Sequence, residues 1–318
     1  MAASVGELVE RARTGDARAV ARLVTLIENA APVLREVMAG LMPYVGHAAV
    51  IGITGSPGVG KSTSTAALVG SYRAQGRRVG VLAVDPSSPF SGGALLGDRV
   101  RMQEHANDPG VYIRSMASRG HLGGLSWTTP QAVRVLDAAG CDVVLVETVG
   151  VGQAEVEIAS LADTTLVLVA PGMGDSIQAA KAGILEIADV FVVNKADRDG
   201  ADATARDLRH MLSTGERRGP DDWQPPIVKT VASRGEGIDD VMAAIDKHRD
   251  WLAGSGRLDA KRRLRAADEI EAIAVTALRA RMGDLRGGTV LDELAARVVA
   301  GEVDPYAAAD ALVAGVTS

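Results

Sequence analysis

The sequence predicts an α/β protein with a mainly parallel central sheet. Over residues 49–254, short β-rich runs alternate with helical stretches, and this alternation is typical of βαβ units. Helical segments between most of the runs imply strands that are covered on both faces. A glycine-rich turn follows the first run directly. The predicted strands are Ala49–Thr54, Arg78–Val84, Val111–Ser115, Asp142–Glu147, Thr164–Val169, Val190–Val193 and Ile227–Val231.

Helix-like sequence flanks this central region on both sides. Residues 1–48 are predicted to form a helical N-terminal extension, because apolar side chains recur there at spacings compatible with one helical face. Residues 255–318 return to helix-like sequence, broken by glycine-rich turns. We therefore predict a helical extension over 1–48, a central domain over 49–254 and a helical C-terminal arm over 255–318.

Composition excludes several classes of function. The chain of 318 residues carries 34 Lys+Arg against 40 Asp+Glu, a net charge of −6, which gives no electrostatic reason to bind nucleic acid or an anionic membrane. The single cysteine, Cys141, excludes a disulfide framework and a cysteine-cluster metal site. No apolar run approaches the roughly 18–20 residues that span a bilayer. We expect a cytoplasmic protein with no nucleic-acid or membrane partner.

The turn after the first predicted strand matches the P-loop pattern GxxxxGK(S/T) in its strand-before, helix-after context. Its glycines let consecutive backbone N–H groups face a phosphate, and the following helix adds its positive end. Lys61 is expected to reach the β- and γ-phosphates and Ser62 to bind Mg²⁺. The predicted phosphate-binding residues are Gly55, Ser56, Pro57, Gly58, Val59, Gly60, Lys61, Ser62 and Thr63. The central domain is thus predicted to be a P-loop NTPase domain.

The strand Val190–Val193 is followed by Asn194-Lys195-Ala196-Asp197, the NKxD pattern of GTPases. An ionised Asp197 can accept hydrogen bonds from N1–H and the 2-amino group of guanine, whereas adenine would leave this carboxylate unpaired. The Lys195 stem is expected to cover the base plane, and Asn194 to tie neighbouring loops together. These residues predict GTP and GDP as the nucleotides.

A third segment on the base side begins Val231-Ala232-Ser233 and resembles the SAxxGEG loop of GTPases. The backbone N–H of Ala232 fits the contact with the guanine carbonyl. Val231 stands where serine is usual, so side-chain support for the loop is not expected. A plain strand–turn–helix junction is the alternative interpretation.

The segment Asp142–Gln153 ends an apolar strand in Glu147-Thr148-Val149-Gly150, at the place of the DxxG switch but with Glu as the acid. Together with Asp85-Pro86-Ser87-Ser88-Pro89 and Leu95-Leu96-Gly97-Asp98-Arg99, this sequence resembles the MeaB/ArgK family. The resemblance implies a GTPase chaperone of adenosylcobalamin-dependent methylmalonyl-CoA mutase. It also implies bound GTP or GDP with Mg²⁺ and a homodimer formed through a C-terminal arm.

The resemblance also implies roles for individual residues. Asp85, Asp98 and Glu147 match acidic positions around Mg²⁺ and the switch regions, and Arg101 matches a basic residue of the first switch. Asp85 and Glu147 both follow apolar strands and are expected at the carboxyl edge of the sheet, where ligands bind. The alternatives are that Asp85 is a turn residue and that Asp98 caps a helix.

The segment Pro171–Asp189 matches the mobile third switch of the family, with Lys181 inside it as a relay to the partner. A plain β–α connection is the alternative for Gly172–Ala188. Apolar faces on 269–277 and Leu291–Val299 predict the dimer contact, with folding back onto the central domain as the alternative. Val151 stands where many small GTPases place a water-orienting glutamine, so slow intrinsic hydrolysis is expected.

Two other functions compete with this interpretation. A P-loop kinase acting on a protein or small molecule would need an acceptor site with a base near the γ-phosphate and would usually bind adenine, which the NKxD pattern disfavours. A metallochaperone would need a cluster of ligands, whereas the five histidines are scattered and there is one cysteine.

Overall fold

The computed structural model describes residues 3–29, 31–86, 102–105, 107–118, 128–148, 154–172, 186–214, 219, 221–282 and 289–317. The chain divides into two compact units, one that ends at Leu258 and one that begins at Asp259. Among the helices of the described ranges, none combines the length and apolar character that a membrane crossing requires.

Within the described residues of the first unit, seven strands form one sheet in which every neighbouring pair is parallel. The spatial order is β3-β2-β4-β1-β5-β6-β7. All the predicted strands are present, and the predicted α/β class is confirmed. The strands are β1 Ala49–Gly55, β2 Val79–Pro86, β3 Val111–Ser118, β4 Val143–Thr148, β5 Thr164–Val169, β6 Val190–Val193 and β7 Ile227–Lys229.

Helices cover both faces of this sheet. Successive side chains of a strand point to opposite faces, so Val144 and Val146 of β4 join one apolar core while Val143 and Leu145 join the other. The helices of the first unit are α1 Val5–Arg13, α2 Ala17–Glu28, α3 Leu34–Leu41, α4 Lys61–Ala74, α5 Thr129–Ala138, α6 Ala154–Leu161, α7 Ala201–Thr214 and α8 Ile238–Gly254. Short 3₁₀ turns lie at Met42–Tyr44, Gln103–His105 and Ala232–Arg234.

The N-terminal extension is helical, as predicted, and its helices belong to the same compact unit as the sheet. Leu23 and Ile27 of α2 are fully buried in the core that α5 and α6 share. Polar contacts reinforce this packing, since Arg114 of β3 pairs with Glu28 and the Tyr112 hydroxyl donates to the Gly15 carbonyl over 2.9 Å. The extension therefore covers one face of the sheet.

The described part of the second unit is helical, as predicted for the C-terminal arm. Helix α9 runs over Arg257–Met282, α10 over Thr289–Val299 and α11 over Pro305–Thr317. Large apolar side chains stand exposed on α9, among them Leu264 at 65% and Ile270 at 68% of their full exposure.

The topology brings the predicted functional segments to one edge of the sheet. Strand β1 lies between β4 and β5, with Ile53 opposite Glu147, and β6 lies beyond β5. Because all of these strands are parallel, the turn after β1, the end of β4 and the turn after β6 meet at their carboxyl ends. Ligands of open α/β sheets bind at this edge.

Candidate nucleotide-binding site

The backbone of the turn after β1 curls as a phosphate-binding loop. Gly55, Gly58 and Gly60 have φ values of 139°, 81° and 97°, which L-residues with side chains rarely adopt. A side chain at Gly55 would collide with the carbonyl oxygen of Leu168, and one at Gly60 would collide with the amide of Asn194. Helix α4 begins at Lys61, so its positive N-terminal end faces the loop.

The Lys61 ammonium is held against this loop. Its Nζ donates to the carbonyl of Gly55 over 2.6 Å and to that of Ser56 over 3.2 Å. The side chain is buried, whereas the neighbouring Pro57 is exposed. A buried positive charge beside a curl of backbone N–H groups is suited to bind phosphate oxygens.

Two hydroxyl groups of α4 lie within hydrogen-bond distance of the Glu147 carboxylate at the end of β4. Ser62 Oγ donates to Oε1 over 2.6 Å, and Thr65 Oγ1 lies 2.9 Å from Oε2. All three side chains are buried, with Thr65 completely so. Carboxylate and hydroxyl oxygens are hard ligands of the kind that Mg²⁺ prefers, so Ser62 and Glu147 fit the predicted metal position.

Thr65 was missed by the sequence reasoning. The signal that could have found it is its spacing, because it comes three residues after Ser62 on a helix and shares a face with it.

Of the other predicted metal and switch residues, the structure describes only the backbone of Asp85. The backbone of Asp85 lies near the carboxyl end of β2, which neighbours β4 with Ala83 opposite Glu147, so Asp85 is at the same edge of the sheet. Its side chain lies outside the described part of the chain. Asp98, Arg101 and Lys181 also lie outside the described residues.

On the base side, Asn194 connects several loops. Its Nδ2 donates to the carbonyl of Val59 over 2.8 Å, and its Oδ1 accepts from the Thr230 hydroxyl and from the Ala232 N–H, each at 3.1 Å. Asn194 is buried, so these hydrogen bonds are shielded from water. The phosphate loop, the end of β7 and the base loop are thereby held in register.

Lys195 adopts a left-handed backbone conformation with a φ of 57°, and its Nζ donates to the Gly58 carbonyl over 2.6 Å. Such a conformation is uncommon for a residue with a side chain and is a marker of functional sites. The stem of Lys195 thus bridges from the base segment back to the phosphate loop.

A solvent-open cleft with a volume of about 140 Å³ lies where these segments meet. The cleft brings together the base-side residues that the sequence singled out and adds Arg198, which the sequence reasoning did not include although it directly follows Asp197. The lining residues are Gly60, Thr63, Asn194, Lys195, Asp197, Arg198, Val231, Ala232 and Ser233.

The base loop is supported by backbone contacts at the position where serine is usual. Val231 and Glu236 exchange N–H···O bonds of 3.0 and 3.3 Å, which close the loop across Ser233. The Ala232 N–H, predicted to contact the guanine carbonyl, donates here to Asn194 Oδ1. This N–H has a single proton, so the predicted contact with the guanine carbonyl would require it to leave or share its hydrogen bond with Asn194.

The parallel sheet, the phosphate loop and the adjoining cleft define a P-loop nucleotide-binding protein with the base loops of a GTPase. The chain belongs to the family described as methylmalonyl Co-A mutase-associated GTPase MeaB, whose family model matches residues 20–285. It is a GTPase and binds guanine nucleotide.

Individual relatives are similar over most of the chain. A putative GTPase of Pyrococcus abyssi is 49% identical over 308 residues, covering 96% of this chain and 95% of that protein. The mitochondrial methylmalonic aciduria type A homolog of Mus musculus is 40% identical over 214 residues, covering 67% of this chain and 52% of that protein. The crystal structure of the LAO/AO transport system kinase has a TM-score of 0.74 at 28% identity, covering 99% of this chain and 98% of that one.

Proposed function

We propose that this protein is a GTPase chaperone that gates cofactor loading and protection of an adenosylcobalamin-dependent methylmalonyl-CoA mutase. The observation that carries the proposal is the family match over residues 20–285, because the family is described as associated with that mutase. The similarity to the methylmalonic aciduria type A homolog of Mus musculus supports the same assignment.

In this proposal the phosphate loop and Lys61 bind the phosphates, and Ser62, Asp85, Asp98 and Glu147 surround Mg²⁺. The ion, when bound, neutralises charge on the β- and γ-phosphates. The contacts of the Ser62 and Thr65 hydroxyls with Glu147 support the assignment, because they fix the carboxylate beside Ser62. Val151 leaves the switch without a glutamine to orient water, so intrinsic hydrolysis is slow and the partner stimulates it.

The direct test is the GTPase rate of the full chain with and without the cobalamin-dependent mutase. A rate that rises on addition of the mutase is expected, together with co-purification that depends on a non-hydrolysable GTP analogue. Lys61→Ala is the control and should lose most hydrolysis in both conditions, because the phosphate clamp loses its charge. A rate indifferent to the mutase would overturn the chaperone role and leave the GTPase assignment standing.

A homodimer through the C-terminal arm is part of the proposal. Leu264, Ile270, Ile273 and Leu278 are all more than 45% exposed on α9, and several exposed apolar side chains on one helix favour a partner. Ile270→Glu in the full chain should shift the sedimentation coefficient toward that of a monomer. The alternative, folding of the arm onto the central domain, is supported if the wild-type chain is already monomeric.

The segment Gly172–Ala188 is proposed as the relay of nucleotide state, with Lys181 as its contact to the partner. Gly172, at its start, has a φ of 83°, suited to a hinge, and directly after its end the Asp189 N–H donates to the Thr165 carbonyl over 3.0 Å. Lys181→Ala should leave basal GTP binding intact and weaken mutase-stimulated hydrolysis. Equal loss of both would place Lys181 in the catalytic site instead.

A P-loop kinase is the second candidate, because the solved structure of similar fold is named a transport system kinase. The two functions differ in where the γ-phosphate goes. With γ-labelled GTP, a GTPase releases the label as inorganic phosphate, whereas a kinase transfers it to a protein or small molecule. Asp197 in the base cleft disfavours the adenine nucleotide that most kinases use.

A further inference from the structure

The guanidinium group of Arg234 lies between two carboxylates of different base loops. Its Nη2 is 3.8 Å from Asp197 Oδ2, and its Nε is 2.9 Å from Glu236 Oε1. Arginine can contact both at once because its donors form a rigid, planar fork. Arg234 therefore connects the residue predicted to read the base with the far end of the loop Val231–Gly237.

The backbone that carries Arg234 and Glu236 is fixed. Val231 and Glu236 are joined by backbone hydrogen bonds, and the intervening residues form a 3₁₀ turn. Gly237 has a φ of 76°, and a side chain there would collide with the Lys229 carbonyl. Glu236 thus pairs with the Arg234 guanidinium from a fixed backbone position, and Arg234 in turn lies 3.8 Å from the Asp197 carboxylate.

We propose that Arg234 is a positioning residue for guanine recognition, itself held by Glu236. A carboxylate offers about four lone-pair sites, so Asp197 can face Arg234 and still accept two hydrogen bonds from the base. Both base contacts require that the carboxylate plane is held toward the base edge. The inference rests on Asp197 reading guanine, as assigned in the sequence, and concerns how that carboxylate is oriented.

Nucleotide binding should strengthen the pair. Asp197 and Arg234 are 43% and 54% exposed, and water weakens ion pairs at such exposures. A base in the cleft covers Asp197 and lowers the local dielectric, so the attraction to Arg234 increases when guanine is bound. Arg234 also offsets the charge of Glu236, which would otherwise repel Asp197.

The test compares GDP with IDP, which lacks the 2-amino group and can offer Asp197 only the N1–H. In Arg234→Ala the Kd for GDP is expected to rise about two- to fivefold, the range of exposed ion pairs, with a smaller rise for IDP. The ratio of the Kd for IDP to the Kd for GDP therefore falls. Arg198→Ala is the matched control, because it removes the same charge from the same cleft and should shift both nucleotides by one factor.

Two further variants separate the possible failures. Asp197→Asn should lose GDP and gain XDP, and if GDP affinity is retained, Asp197 does not read the base and the inference fails with it. If Asp197→Asn behaves as expected while Arg234→Ala leaves the GDP-to-IDP ratio unchanged, the positioning role of Arg234 is wrong. Glu236→Ala should reduce the preference for GDP over IDP less than Arg234→Ala does. The double variant should show the same preference as Arg234→Ala alone, since Glu236 acts through Arg234. Additive effects would overturn the anchoring role.

Discussion

The hydrogen bond between Thr65 of α4 and Glu147 predicts different outcomes for substitutions at Thr65 and at the adjacent Ser64. Thr65 Oγ1 lies 2.9 Å from Glu147 Oε2, whereas Ser64 Oγ is buried and has no hydrogen-bond partner among the residues that the structure describes. Thr65→Val removes the Thr65 hydroxyl and keeps the side-chain volume. Ser64→Ala removes the Ser64 hydroxyl, which does not contact Glu147, from the preceding position of the same helix.

The magnitude follows from the burial of the groups involved. Thr65 is 0% exposed and Glu147 is 3% exposed, so water cannot replace the lost donor easily. The Thr65 hydroxyl has one proton, and the Lys61 carbonyl, 3.0 Å away, competes for it with Glu147. Hydrogen bonds to charged groups contribute about 1.5–3 kcal/mol, and we expect Thr65→Val to lower the free energy of unfolding by at most that amount. Ser64→Ala should be neutral or stabilising, because it deletes an unsatisfied polar group and introduces a better helix former.

Urea unfolding at pH 7 measures both variants against the wild type. Tryptophan fluorescence reports on the first unit, because Trp127, Trp223 and Trp251 all precede Leu258. A second readout is the Mg²⁺ concentration needed to retain bound GTP, which should rise in Thr65→Val and stay unchanged in Ser64→Ala. This readout separates an effect on the metal site from a general loss of stability.

Equal unfolding free energies for the two variants would refute this reasoning, since Thr65 would then contribute no more than an unpartnered hydroxyl. A destabilised Thr65→Val with an unchanged Mg²⁺ requirement would restrict Thr65 to a structural contact.

Three other predictions follow from single contacts. Gly60→Ala should lose about 1–3 kcal/mol of stability and most nucleotide affinity, because φ is 97° there and the new methyl group displaces Asn194; unfolding and GDP titration measure both. A hydrogen bond from Arg73 lowers the pKa of Asp108, so its contribution to stability is present above the unfolded value of about 3.9 and is lost as pH falls through the folded pKa. Asp108→Asn should therefore lower the urea midpoint at pH 7, and its difference from the wild type should shrink as the pH falls below about 3.9. Burial raises the pKa of Cys141 to about 12, so a thiol reagent at pH 8 should label the unfolded chain and leave the folded chain unmodified.

Much of the fold could be predicted because local sequence patterns specify its strands and turns. Each strand, the phosphate loop and the NKxD turn occupy a few consecutive residues, and their apolar runs and glycine spacings depend only on neighbours in the chain. Boundaries were less certain, and β7 illustrates why. The prediction extended it to Val231, but the last residue pair with β6 is Val193 and Lys229. The Thr230 N–H still donates to the Val193 carbonyl, and Val231 then pairs with Glu236 in the base loop.

The sequence by itself determined the class of protein, the nucleotide and most of the residues around the cleft. The tertiary structure alone decided the strand order, the contact of Thr65 with Glu147 and the bridge from Arg234 to Asp197. Thr65 and Glu147 are 82 positions apart, so their contact depends on how β1 and β4 align in the sheet. A pattern of adjacent residues cannot predict how β1 and β4 align. That alignment results from packing the whole sheet against the helices on its two faces.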